Sequence, residues 1–185
     1  MIDVNQLRRG TSFMHDGEIY KVTEYSHHKP GRGKATIRVS VRNVRTGANL
    51  QLTFNSGDRV EDIRLDKRTV QYLYDDGQFY VFMDMATYEQ PHVSHIMIAD
   101  DAQWLKENME MELLFFEGEV LDYNLPLNVD LEVTEAEHAV AGDTATGATK
   151  EVTTETGVTV RTPLFVKVGD IIRVDTRTGE YVTRV

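Results

Sequence analysis

Apolar and β-branched residues alternate with polar ones in short runs along this chain. The cleanest run is Ala35 to Val44, where Arg38, Ser40 and Arg42 separate Ile37, Val39 and Val41. Alternation with a period of two predicts half-buried strands, and a similar run from Ile19 to Tyr25 predicts the partner of a hairpin. A second hairpin is predicted from Thr69–Tyr74 and Gln78–Met83, which flank Asp75-Asp76-Gly77. The Asp76-Gly77 dipeptide favours a primed turn there. Turn signals recur at Asp16-Gly17, Pro30-Gly31, Thr46-Gly47, Ser56-Gly57, Glu117-Gly118, Thr156-Gly157, Gly169-Asp170 and Thr178-Gly179. The runs between them are short and rich in Val, Ile, Thr, Tyr and Phe, which predicts an all-β chain of barrels or sandwiches with little helix.

The one helix expected starts near Asp100 or Asp101 as cap and runs to Met109, with Leu105 and Met109 on one stripe, to plug the end of a barrel. Two seams divide the chain, near Ile63–Asp66 and at Leu125-Pro126-Leu127. They predict three small barrels of about 60 residues each, small enough for docking to contribute to stability. Residues 134–160 are rich in Thr, Ala and Gly, yet lie between strand-like Leu131-Glu132-Val133 and Val158-Thr159-Val160. An ordered strand-and-loop region with a surface loop from Gly142 to Lys150 is expected.

Composition adds constraints. The chain has 185 residues, 41% of them hydrophobic, which suits folded cores. It has no cysteine, which excludes disulfides and thiolate chemistry. No apolar run is long enough to span a bilayer and the N-terminus lacks a signal-peptide segment, so a cytoplasmic protein without membrane contact is expected. The net charge of −10 is unevenly spread. Residues 1–63 hold ten Lys/Arg against seven Asp/Glu, residues 64–126 four against thirteen, and residues 127–185 six against ten. From 21 to 45, seven cations face the single Glu24. That patch suits phosphates, and it also suits a solvated face of a small barrel.

The patch includes a stiff cationic turn, His27-His28-Lys29-Pro30-Gly31-Arg32-Gly33-Lys34. Pro30 fixes its φ and Gly31 accepts φ > 0, as the central pair of a type II turn needs, while Gly33 removes bulk beside Arg32. Arg32 is then the side chain at the tip, presented to a polyanion or a narrow site. Gly33-Lys34 does not make a phosphate loop, because His28 stands where that motif needs glycine and Ala35 where it needs Ser or Thr. His92 and His95 lack an evident third ligand and follow Pro91, so no metal site is expected. The five serines occupy no nucleophile elbow, and the acidic pairs Asp75-Asp76 and Asp100-Asp101 read as turn formers. Neither an enzyme nor a cofactor is indicated.

Several segments together resemble bacterial translation elongation factor P. They are Lys29-Pro30-Gly31-Arg32-Gly33, Val81-Phe82-Met83-Asp84, Gly142-Asp143-Thr144-Ala145, Gly169-Asp170 and, most specific, Val174-Asp175-Thr176-Arg177-Thr178-Gly179-Glu180-Tyr181. The resemblance implies an L-shaped, tRNA-like molecule: an SH3-like (KOW-like) barrel over 1–63, then OB-type barrels over 64–126 and 127–185. It implies a monomeric factor that binds the 70S ribosome between the peptidyl-tRNA and exit sites, against peptidyl-tRNA and ribosomal RNA, and relieves stalling at consecutive prolines.

On that resemblance Arg32 is the contact at the tRNA acceptor end, with Lys29, Pro30, Gly31, Gly33 and Lys34 around it. Arg38, Arg42 and Arg45 would hold phosphates further back. Gly142, Asp143, Thr144, Arg177 and Tyr181, with Asp175, would lie on the small-subunit and mRNA side. Many members carry at the tip a lysine extended by β-lysine, which Arg32 excludes here. Some arginine-bearing members are rhamnosylated by a modifying enzyme, but in a different sequence neighbourhood, so a bare Arg32 is expected. The rival reading is a free-standing RNA-binding or polysaccharide-binding β-barrel protein using the same basic face.

Overall fold

The structure, a computed structural model, describes residues 1–29, 31, 33, 35–137 and 147–185. Among the described residues sixteen strands account for nearly all of the regular structure, in the all-β class that the alternation predicts. The first sheet comprises β1 (Ile2–Asp3), β2 (Ser12–His15), β3 (Glu18–His28), β4 (Thr36–Asn43), β5 (Asn49–Asn55) and β6 (Arg59–Asp62), ordered β1-β6-β2-β3-β4-β5. The second comprises β7 (Asp66–Asp75), β8 (Phe79–Asp84), β9 (His92–Ser94), β10 (Glu110–Phe116) and β11 (Glu119–Asn124), ordered β11-β10-β7-β8-β9. The third comprises β12 (Asn128–Ala136), β13 (Thr149–Thr154), β14 (Thr159–Pro163), β15 (Ile171–Asp175) and β16 (Tyr181–Arg184), ordered β14-β13-β12-β15-β16. The chain forms two compact units, Met1–Arg68 with Leu113–Asp122, and Thr69–Glu112 with Tyr123–Val185.

In the first unit the alternation on β4 sends Ile37, Val39 and Val41 inward to join Val4, Leu7, Phe13, Tyr20, Val22 and Phe54 in one core. A second cluster in this unit gathers Ile19, Ile63 and Leu121. In the second unit Val70, Tyr72, Val81, Phe82, Val93 and Ile98 are buried, with the Tyr72 and Phe82 rings 5.5 Å apart. Its other core comprises Val129, Leu131, Val133, Val152, Val160, Val166, Ile172, Val174 and Trp104.

Three local expectations are corrected. The predicted helix over 100–109 is a 3-10 turn, Ala102–Trp104, and a single α-helical turn lies earlier, at His95–Ile98. Asp101 makes no capping hydrogen bond; its Oδ2 accepts instead from the Tyr123 hydroxyl at 2.7 Å. Leu105 is extended and Asn108 has φ 66°, so a helix cannot continue past Trp104, whose indole is buried with the residues of β12 to β15. At Asp76-Gly77 only the glycine has positive φ, 92°. Asp76 instead accepts backbone N–H groups of Gln78 and Phe79 through Oδ1, at 2.8 and 2.7 Å, which closes a longer loop. The turns with two consecutive positive φ values, as type I′ requires, are Asp16-Gly17 and Glu117-Gly118, joining β2 to β3 and β10 to β11. Finally, Thr149 and Lys150 belong to β13 and not to the preceding loop.

Candidate nucleic-acid interface

The cationic turn caps the β3–β4 arm of the first sheet, in which β4 is also paired on its other side with β5, from Thr36↔Asn55 to Arg42↔Asn49. β3 and β4 pair antiparallel from Tyr20↔Asn43 to His28↔Thr36, with a register shift between Val22 and Glu24. The base of β3 is anchored by buried Ile19, Tyr20 and Val22, while Ser26, His27 and His28 are exposed. The other strand stays tied down, because Ala35 accepts from the Ser56 N–H at 2.9 Å and Ile37 is fully buried. Lys29, Gly31 and Gly33 are exposed at the tip. The left-handed backbone falls at Gly33, φ 116°, and not at Gly31, so the positive φ expected of Gly31 in a type II turn is two residues later. Pro30, Arg32 and Lys34 lie outside the described residues.

Behind the tip the three arginines differ. Arg38 is exposed and, among the described residues, has no carboxylate in ion-pair range. It shares a shallow groove of about 550 Å³ with Arg9, Glu24, Ser26, Ser40 and Gln51. Arg42 is half-buried and already partnered. Arg45 sits in the β4–β5 turn and grips Glu119 with two hydrogen bonds, Nη2 to Oε2 at 3.0 Å and Nε to Oε1 at 3.3 Å. That carboxylate holds the guanidinium pKa above its ordinary value.

The turn carrying Arg45 is organised by Asn43, which alternation alone does not reveal. Asn43 is buried; its Oδ1 accepts from the N–H groups of Arg45 and Thr46 at 2.9 and 3.0 Å, and its Nδ2 donates to Glu18 Oε2 at 3.0 Å. The sequence cue is an asparagine four residues before Gly47, whose φ is 74° and whose N–H donates to the Asn43 carbonyl at 2.9 Å. Arg9, distant in sequence from the tip, was equally hidden.

Toward the C-terminus, Arg177 lies in the β15–β16 turn and Tyr181 opens β16. Asp175 Oδ1 accepts from the Arg177 backbone N–H at 2.8 Å and from its Nε at 3.1 Å, and Oδ2 accepts from Nη2 at 2.6 Å. The Arg177 side chain, then its N–H, bring the Asp175 carboxyl down to about 2. Thr176 donates its hydroxyl to the Pro126 carbonyl at 2.7 Å, and Tyr181 packs half-buried on the core. Arg177 stays 65% exposed, so the turn is braced and still presents a cation. Gly142, Asp143 and Thr144 lie outside the described residues. His92 and His95 part company: the His92 ring lies 5.9 Å from that of Phe79, while His95 Nε2 lies 2.7 Å from Asp75 Oδ1.

Three family descriptions match successive stretches of the chain. They are Elongation factor P (EF-P) KOW-like domain over 3–60, Elongation factor P (EF-P) OB domain over 65–123, and Elongation factor P, C-terminal, over 129–184. Curated relatives named Elongation factor P match end to end. Those of Pelotomaculum thermopropionicum and Syntrophomonas wolfei are 45% and 46% identical over 185 residues, and that of Moorella thermoacetica is 44% identical over 184, each covering 100% of both chains. The chain belongs to the elongation factor P family. It is a translation factor by family, and that family is not one of enzymes. A solved structure described as eukaryotic translation initiation factor 5A from Methanococcus jannaschii is 25% identical, with a TM-score of 0.51, covering 66% of this chain and 94% of that one. The first sheet is thus that of a KOW-like, SH3-related barrel and the second that of an OB barrel, as expected. Among the described residues no helix is long and apolar enough to cross a membrane.

Proposed function

We propose that this elongation factor P family member binds the 70S ribosome between the peptidyl-tRNA and exit sites. There it speeds peptide bond formation at consecutive prolines by positioning the acceptor end of peptidyl-tRNA. The observation that carries this is the β3–β4 arm, anchored at its base, with Lys29 exposed near the tip and exposed Arg38 lacking a carboxylate partner among the described residues. In this reading the domains are residues 1–63, 64–126 and 127–185. Arg32 meets the acceptor end, and Lys29, Gly31, Gly33 and Lys34 shape the tip around it. Arg38, with Arg42 and Arg45 behind it, meets phosphates.

The chemistry asks for no catalytic side chain. Proline's ring fixes φ and makes its nitrogen a secondary amine, so the attacking nitrogen and the ester carbonyl reach a productive geometry less often. Interactions that order the terminal nucleotides lower the entropic part of the barrier, and each tenfold in rate needs only about 1.4 kcal/mol. Gly142, Asp143 and Thr144, with Arg177 and Tyr181, face the small subunit and mRNA. The factor works as a cytoplasmic monomer with a bare arginine at position 32, since the guanidinium already offers a long stem and five donors.

The test is synthesis of a triple-proline reporter with the wild-type chain, Arg32→Ala and Arg32→Glu. Stimulation is expected to fall with alanine and to vanish with glutamate; unchanged synthesis overturns the role of the tip. Co-sedimentation with 70S particles carrying peptidyl-tRNA separates this reading from a free-standing RNA-binding protein, which would bind isolated RNA equally well. Intact mass of protein from its native host decides the modification, because a sugar on Arg32 adds its mass.

A further inference from the structure

Strand β5 ends the first sheet, with β4 on one side only. Its sequence, Asn49-Leu50-Gln51-Leu52-Thr53-Phe54-Asn55, contains no charge, proline or glycine, and it pairs with β4 residue for residue without a bulge. Natural edge strands usually carry at least one of those devices against further pairing. The hydrogen-bond phase is fixed at both ends, since Ser56 donates to the Ala35 carbonyl and Asn43 donates to that of Ala48. In an antiparallel ladder bonded residues alternate, so Leu50, Leu52 and Phe54 bond to β4 while Asn49, Gln51, Thr53 and Asn55 turn their N–H and C=O outward. Asn55 is satisfied internally: its N–H donates to Asp58 Oδ2 and its carbonyl accepts from the Asp58 N–H. Among the described residues nothing engages the backbone of Asn49, Gln51 or Thr53.

From this geometry we propose that β5 is a docking edge for an extended peptide segment of a partner protein, added as a further strand, with acidic side chains on its outer face and apolar ones on its inner face. The backbone of Asn49, Gln51 and Thr53 supplies the ladder. Leu50, 45% exposed, and partly buried Leu52 receive the apolar side chains. On the outer face Arg38 stands directly across from Thr53 in the next strand, and Arg9 lines the same groove. An added strand lies about 9–10 Å beyond β4, two strand spacings, a gap that an extended arginine and a glutamate close together. Glu24 is the one acid lining that groove, against two cations.

A capped peptide alternating glutamate and valine, of the same length as β5, is the probe for titration into the isotope-labelled full chain. The amides of Asn49, Gln51 and Thr53 are expected to shift and to gain protection from hydrogen exchange, with Leu50 and Leu52 amides little changed. Gln51→Pro removes one outward donor and leaves the β4 ladder intact, and is expected to weaken peptide binding about tenfold, the worth of one hydrogen bond. Arg38→Glu, which leaves the backbone untouched, is expected to weaken it as well. The proposal is overturned if the three amides stay unmoved, if a lysine-valine peptide binds equally well, or if an oligouridylate takes these amides in place of the peptide and so marks an RNA edge. Should Gln51→Pro fail to fold, the amide map and Arg38→Glu decide alone.

Discussion

Asp175 holds Arg177 at three points, accepting from its backbone N–H, Nε and Nη2 at 2.8, 3.1 and 2.6 Å. Those bonds lower the carboxyl from its ordinary 3.8 to about 2, so the folded protein binds this proton less tightly than the unfolded chain does. The stabilisation is therefore complete above pH 3.8 and is lost as pH falls through about 2. Acid unfolding of Asp175→Asn, followed by circular dichroism from pH 5 to pH 2, is expected to begin from a less stable state and to show a shallower loss than wild type over about that range. An unchanged acid slope would show that the turn does not depend on this carboxylate.

Trp104 and Gly179 make a second linked pair. The indole is 3% exposed, and a Cβ built on Gly179, φ 73°, would meet its Cη2 at 3.8 Å. Space is therefore sufficient there, and the backbone conformation is what demands glycine. Gly179→Ala is expected to cost about 1–2 kcal/mol through left-handed strain alone. Trp104→Ala, which empties part of a core, is expected to cost about 3–5 kcal/mol. Urea unfolding of the full chain, read by circular dichroism so that loss of the sole tryptophan does not blind the measurement, ranks the two.

The same tryptophan shows where the sequence was legible and where it was not. Strand β4 could be read directly because alternation and burial coincide along its length, Ile37, Val39 and Val41 inward with Arg38 and Ser40 outward. Trp104-Leu105 looked helical because a capping aspartate and a fourfold spacing are local signals, whereas the burial of the indole with Val129, Leu131 and Val174 is a long-range one. Turn type failed similarly at Asp76, where side-chain bonds to Gln78 and Phe79 replace the left-handed backbone that Asp16 and Glu117 adopt. At the site, charge density and turn chemistry revealed the arm, but not that Arg45 is held by a carboxylate 74 positions away.

Asn43 gives a direct test of how the base of the arm is kept in place. Its amide is buried and serves two N–H groups of the following turn together with Glu18 at the start of β3. Asn43→Ala strands those donors, so a loss of about 1–3 kcal/mol is expected. Asn43→Asp keeps both acceptor bonds but sets a carboxylate against Glu18, and should be the milder change at low pH and the harsher at neutral pH. Thermal unfolding of both variants at two pH values checks the order.

Arg38 and Arg45 belong to one cationic stretch of sequence yet should behave differently toward ribosomes. Arg45 spends its guanidinium on Glu119, so meeting a phosphate first requires that pair to open. Arg38 is exposed without such a partner among the described residues. Removing one cation that neutralises a phosphate lowers the salt slope of binding by about one unit, so Arg38→Ala is expected to reduce both affinity for 70S particles and the slope, while Arg45→Ala changes either far less. Glu119→Gln, which frees Arg45 without adding a cation, should then strengthen binding at low salt, and in that background Arg45→Ala should become costly. Equal losses for Arg38→Ala and Arg45→Ala in the wild-type background would mean that the ion pair opens freely and that Arg45 meets phosphates as Arg38 does.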